Sequence, residues 1–101
     1  MITQENESKQ DKLILDVSAV QASTDFHYLL KKNLDLPDFY GMNWDAFWDA
    51  ITGLIELPET LIFEGWSNVE ERLPKDSKIF INLLNDFNEQ NPHWKCKVVY
   101  K

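Results

Sequence analysis

Residues 37–54 read PDFYGMNWDAFWDAITGL and contain the most informative helical pattern of the chain. Asn43 is a good N-cap residue, and the positions after it alternate between apolar and polar with the period of an α-helix, about 100° per residue. One side of that helix is apolar. It consists of Trp44, Phe47, Ile51, Leu54 and Ile55. The stretch therefore predicts an amphipathic helix that begins after Asn43 and ends near Gly53.

The neighbouring side of the same helix forms an acidic stripe. It consists of Asp45, Trp48, Asp49 and Thr52. Asp45 has a structural explanation, because an acid in the first turn complements the helix dipole. Asp49 lacks this explanation, and like charges at i and i+4 repel each other by roughly 0.2–0.5 kcal/mol. Since packing does not require this stripe, we expect its carboxylates to meet a group outside the chain.

The charge distribution favours a basic partner. The 101-residue chain has a formal net charge of −7, and residues 33–71 contain nine acids and no Lys, Arg or His. Nucleic-acid binding requires clustered Lys and Arg that neutralise phosphates, so we expect no nucleic-acid partner. An unpaired acidic surface can instead steer a cationic protein toward one face. Charge by itself also fits a second interpretation, in which the acids only keep the protein soluble.

The central stretch also contains aromatic, acidic and small residues at a characteristic spacing. They are Phe39, Tyr40, Gly41, Asn43, Asp45, Ala46, Trp48, Asp49, Thr52 and Gly53. In that spacing they resemble the signature of the barstar family, the intracellular inhibitors of barnase-type ribonucleases, and the resemblance covers roughly residues 12–101. It implies an α/β, barstar-like fold, with a small three-stranded parallel sheet packed with about four helices.

The resemblance also implies a partner-binding surface for a basic ribonuclease or nuclease toxin. Its residues are Phe39, Asn43, Asp45, Trp48, Asp49, Thr52, Gly53 and Asp86. In the family, the second aspartate of the central helix takes the place of a substrate phosphate in the nuclease, and here that residue is Asp49. Asp45 matches an aspartate that pairs with another basic site. Asp86 aligns best with a glutamate of the last helix that faces an arginine.

Besides Asp86, which is one methylene shorter than the family's glutamate, two positions depart from the family pattern. Phe39 replaces a tyrosine that usually packs on a catalytic histidine, so stacking is kept but a hydroxyl is lost. Leu54 replaces a tryptophan found in the best-known inhibitor. Both changes fit an immunity protein against a different, non-barnase toxin, and a general acidic protein-interaction module is a further alternative.

The remaining elements follow from local patterns. Residues 12–17, 60–63 and 96–100 are short apolar runs that predict strands, the first of them covered on both faces. A helix is predicted from a cap at Ser23 or Thr24 to residue 34, and a brief one at 66–73. The longest is predicted to begin at a cap formed by Asp76 or Ser77 and to end near residue 90.

The chain is predicted to have a flexible N-terminal extension, residues 1–11, and one domain, residues 12–101. The first residues are polar and lack the apolar core of a secretory signal, so we expect a cytoplasmic protein without a membrane partner. Cys96 is the single cysteine, which rules out an internal disulfide. We expect the free chain to be a monomer.

An enzymatic function is not expected. Asp45 and Asp49 form a carboxylate pair, but both should be ionised on an exposed acidic helix, whereas acid–base catalysis requires that their pKa values be split. His27 and His93 lack a recognisable metal-ligand spacing, and the glycines do not form a phosphate loop. His27 is expected to be an ordinary helix-face residue. We therefore predict no catalytic residue, no metal site and no cofactor.

Overall fold

The computed structural model describes residues 11–101, in which three strands and four helices form. Their bounds are β1 Lys12–Asp16, α1 Ser23–Asn33, α2 Trp44–Gly53, β2 Thr60–Glu64, α3 Trp66–Arg72, α4 Pro74–Gln90 and β3 Lys97–Tyr100. The predicted α/β class with a three-stranded sheet and about four helices is confirmed. The ends of most elements lie within one or two residues of the predicted ends.

The three strands form one parallel sheet in the order β1, β2, β3, which makes β2 the central strand. In the observed register Ile14 pairs with Ile62, and Ile62 pairs with Val99. Parallel neighbours need long crossover connections. The helices α1 and α2 lie in the first connection, and α3 and α4 lie in the second. The helix that carries the acidic stripe therefore immediately precedes the loop into the central strand.

One face of the sheet is packed against the helices and the other is open. Leu15, Leu61 and Phe63 are buried, whereas Ile14 is 52% exposed and does not belong to the core. The prediction that the first strand is covered on both faces is wrong. The physical reason is that the buried residues of all four helices join a single core on the same side of the sheet.

Aromatic rings occupy the centre of that core. The ring of Phe26 in α1 has its centroid 5.5–6.2 Å from the rings of Trp44, Phe63, Trp66 and Phe80. These rings come from α2, β2, α3 and α4, so one side chain contacts four other elements. Such packing fixes the position of α2 relative to the sheet, because close-packed aromatic side chains leave little room for a helix to shift.

Two predicted helix starts are wrong. Helix α1 contains Ser23 as its first residue, and its N-terminus is satisfied by Asp25, whose Oδ2 accepts hydrogen bonds of 3.0 Å from the backbone N–H groups of Gln21 and Ala22. Helix α4 begins at Pro74, ahead of the predicted caps. Proline suits this first position because its fixed φ is helical and its missing N–H would have no partner there.

Most of the predicted N-terminal extension lies outside the described residues. The described part begins at Asp11, whose carbonyl oxygen accepts a hydrogen bond of 3.0 Å from Thr60 N–H. Within residues 11–101, no helix has both the length and the apolar character that crossing a bilayer demands.

Candidate partner-binding surface

The N-terminus of α2 is fixed by its cap. Asn43 Oδ1 accepts a hydrogen bond of 2.7 Å from Ala46 N–H, which confirms the predicted N-cap. Asn43 Nδ2 donates to the carbonyl oxygen of Gly41 at 3.2 Å. Both polar atoms of the Asn43 amide are therefore hydrogen-bonded to nearby backbone groups. A role for Asn43 at the partner-binding surface stays a prediction, and its observed role is to set where the helix begins.

A partly buried polar network holds the same end of α2 against α1 and α4. His27 Nδ1 and Tyr40 Oη are joined by a hydrogen bond of 2.6 Å, and Tyr40 Oη donates to the carbonyl oxygen of Asn43 at 3.3 Å. Trp44 Nε1 donates to Asp76 Oδ1 at 2.7 Å. The imidazole of His27 and the indole of Trp44 are in contact, with ring centroids 4.2 Å apart. The network thus connects three elements at the point where α2 begins.

The histidine of this network is buried, with 2% of its surface exposed. Loss of solvent disfavours the imidazolium and lowers the pKa of His27, while the negative charge of Asp76 opposes that shift. The pKa of Tyr40 is raised, because burial disfavours the phenolate. The neutral forms of both side chains are therefore the ones that the fold favours.

Sequence reasoning missed the role of His27, which it placed on an ordinary helix face. The signal in the sequence was that Leu30 follows His27 by three residues and Leu34 follows Leu30 by four. This spacing places all three side chains on one side of a helix. Both leucines are buried together with His27. The contact between Asp76 and Trp44 had no comparable signal, because it joins residues 32 positions apart.

The acidic stripe is exposed, as the spacing indicates. Asp45, Asp49 and Thr52 are exposed, and Trp48 is half-buried. Within residues 11–101 neither the Asp45 nor the Asp49 carboxylate makes a hydrogen bond or an ion pair with another side chain. Nor do the described His, Cys, Asp and Glu residues form a group of three that could hold a metal ion. The two carboxylates are thus fully available to a partner.

Trp48 faces both the core and the solvent. Its ring lies edge-on to Phe87, with centroids 6.5 Å apart, and its remaining surface lines a shallow cleft of about 380 Å³ between α2 and α4. Asp45 and Asp86 line the same cleft. The structure therefore brings three of the predicted partner-binding residues together, although Asp86 belongs to a different helix.

Asp49 lies in the middle of α2 and lines neither this cleft nor the groove described next, and the remaining predicted partner-binding residues lie toward the two ends of the helix. Phe39 lies in the loop before α2 and is 77% exposed. At the opposite end, Thr52 and Gly53 line a separate groove, and Thr52 Oγ1 donates to the carbonyl oxygen of Trp48 at 2.7 Å. Leu54, expected on the apolar side, is 55% exposed because α2 ends at Gly53 and the following residue leaves the packed face.

We predict that Asp49 does not stabilise the fold. Asp49→Ala removes a like-charge repulsion with Asp45 and introduces a better helix former, so the free energy of unfolding should stay the same or rise by about 0.5 kcal/mol. Urea unfolding measures this directly. Asp45→Ala is the matched control: it removes the same repulsion and gains the same helix propensity, but it also loses the helix-dipole interaction, so it should be less stable than Asp49→Ala by about 0.3–1 kcal/mol. A loss above about 1 kcal/mol in Asp49→Ala would identify Asp49 as a structural residue.

Comparison with known proteins gives a family match and a curated relative. The family model described as Barstar (barnase inhibitor) matches residues 10–101. A Bacillus subtilis (strain 168) protein named "Putative ribonuclease inhibitor YrdF" is 42% identical over 55 residues, which are 54% of this chain and 60% of that protein. The chain thus spans about three fifths of the length of this curated relative. Because the family model covers residues 10–101 and the fold agrees with it, the chain belongs to the barstar family.

Proposed function

We propose that this chain inhibits a basic, barnase-type ribonuclease by placing the acidic stripe of α2 in the active site of the enzyme. The observation that carries the proposal is the Asp49 carboxylate, which is exposed and has no hydrogen bond or ion pair within residues 11–101. A ribonuclease site presents cationic side chains arranged for a phosphate. A carboxylate delivered to that place forms charge-assisted hydrogen bonds with them.

The way in which α2 is held supports this mechanism. The Asn43 cap, the hydrogen bond from Trp44 to Asp76 and the buried Phe47 and Ile51 restrain the helix before any partner arrives. A preformed surface lowers the ordering cost of association. The inhibitor performs no chemistry in this mechanism, because occupation of the active site is sufficient.

The cleft between α2 and α4 provides a second contact. Asp45 and Asp86 supply two carboxylates in the cleft that the indole ring of Trp48 also lines. A guanidinium group forms bidentate hydrogen bonds with carboxylates and stacks on aromatic faces, so an arginine fits this cleft better than a lysine does. We therefore assign the cleft to an arginine at the edge of the nuclease active site.

The location, oligomeric state and type of partner that we propose are those expected from the sequence. We propose that the free chain is a cytoplasmic monomer that binds one nuclease molecule, with no role for nucleic acid or a membrane. The exposed acidic stripe supports a protein partner, because a surface with unpaired carboxylates repels phosphates.

Titration of barnase with the purified chain tests the proposal. Ribonuclease activity should fall linearly and vanish at one equivalent, and calorimetry should give a stoichiometry of one. A chain that neither binds nor inhibits barnase would contradict the proposal and favour an immunity protein against another toxin. Binding without loss of activity would favour a general interaction module.

The charge distribution leads to a prediction about association kinetics. The association rate with barnase should fall severalfold between low and physiological ionic strength, because salt screens the long-range attraction. The dissociation rate should change less, because the contacts in the complex are close and partly shielded. Stopped-flow fluorescence measures both rates. An association rate that does not respond to salt would contradict electrostatic steering.

A further inference from the structure

A groove lined by described residues lies beside the acidic stripe, at the C-terminal end of α2. Its volume is about 770 Å³, and its floor consists of buried apolar side chains, including Ile51, Leu57 and Phe87. Two exposed apolar residues stand at its rim. Leu54, just after α2, is 55% exposed, and Trp94, in the loop before β3, is 52% exposed.

The groove combines this apolar surface with negative charge. Asp35 follows α1 and Glu56 lies in the loop before β2, and both line the groove as exposed carboxylates. Of the described residues that line it, none is Lys, Arg or His. An aromatic ring beside carboxylates is a favourable site for a cationic side chain with an apolar stem.

The groove is continuous with the proposed inhibitory surface. Thr52 belongs to the acidic stripe and also lines the groove, and Gly53 adjoins it. A Cβ atom added at Gly53 would meet no atom within 4 Å, so the backbone is accessible there. A partner seated on Asp49 and Thr52 would therefore reach the groove without a gap.

We propose that this groove is a second anchor for the same basic ribonuclease, and that it receives a surface loop bearing an arginine or lysine next to an apolar side chain. The inference rests on the proposed function and adds Asp35 and Trp94 to the residues that bind the nuclease. These two residues lie outside the central helix and the sequence signature. Through Asp35 and Trp94, a surface loop of the nuclease that lies outside its active site would also determine which nuclease this chain recognises.

A photocrosslinking experiment tests whether the nuclease covers the groove. Benzoylphenylalanine placed at position 94 should crosslink to barnase in the complex. The same amino acid at position 14 is the matched control, because Ile14 is also 52% exposed but lies on β1, outside the groove. Equal yields at the two positions, or none at position 94, would overturn the proposal.

Binding kinetics provide a second measurement. Trp94→Ala should speed dissociation of barnase about tenfold, as expected for truncation of an aromatic interface anchor. Asp35→Asn should weaken binding by a smaller factor without loss of folding, because Asp35 has a φ of 54° and asparagine also tolerates that conformation. Ile14→Ala should leave the dissociation rate unchanged.

The outcomes separate this inference from the function on which it rests. If Trp94→Ala and Asp35→Asn bind barnase like the parent while Asp49→Asn does not, the anchor is wrong and the inhibitory stripe stands. If the parent chain does not bind barnase, the proposed function fails, and the anchor fails with it.

Discussion

Asp49→Asn is expected to weaken inhibition of barnase by roughly 30-fold to several thousandfold. The substitution keeps the shape of the side chain and removes its charge. In the complex the cationic groups of the nuclease would then remain in a dry site without their counter-charge, which costs about 2–5 kcal/mol. This range comes from measurements on buried charge pairs at other protein interfaces, the barnase–barstar pair among them. At about 1.4 kcal/mol per tenfold change in affinity, it gives the stated loss.

Glu59→Gln is the matched control for this experiment. Glu59 is an exposed acid that precedes β2 and lies outside both the cleft and the groove. Its substitution removes the same charge and should change affinity by less than about 0.5 kcal/mol. Similar losses in the two variants would mean that diffuse charge, and not a placed carboxylate, causes inhibition. Full inhibition by Asp49→Asn would refute phosphate mimicry.

Mild acid should destabilise the folded chain through His27. The usual pKa of histidine is 6.5, and burial lowers the pKa of His27 in the folded state. Below pH 6.5 the unfolded chain therefore binds more protons at this site than the folded chain. The free energy of unfolding falls as the pH drops below 6.5, with a slope of at most about 1.4 kcal/mol per pH unit, and levels off below the folded-state pKa.

Urea unfolding between pH 7.5 and pH 5 measures this effect. His27→Asn removes the titrating group. The free energy of unfolding of this variant should therefore depend less on pH than that of the parent over the same range, even if the variant is less stable at every pH. Asp76→Asn keeps an acceptor for Trp44 Nε1 but removes the charge that favours the imidazolium of His27. In this variant the free energy of unfolding should therefore keep falling down to a lower pH than in the parent. Parallel pH dependences in the parent and His27→Asn would show that His27 is not responsible.

The helix α2 was predictable from sequence because its determinants are local. The Asn43 cap acts on a residue three positions away, and the apolar spacing of Phe47 and Ile51 reflects the period of one helix. The same period placed Asp45 and Asp49 on a side that the core does not need. The barstar signature lies in this segment, and for that reason the family could be recognised before the fold was known.

Other features depended on contacts between distant segments. The spacing of each helix identifies its own apolar side, but it does not determine which side chains of two helices meet. Asp86 joined Asp45 and Trp48 in one cleft only because α4 packs beside α2. The open face of the sheet at Ile14 likewise followed from the helices packing on one side, against the expectation from its apolar strand.

The sequence by itself determined the helix that carries Asp49, the acidic character of its exposed side and the family to which the chain belongs, because these depend on residue types and spacings within one short segment. Packing between distant segments, in contrast, buries His27 at the start of that helix and places Trp94 and Asp35 beside a groove at its end. The physical reason is that burial and grooves arise where separate elements pack together, and local patterns do not specify that geometry.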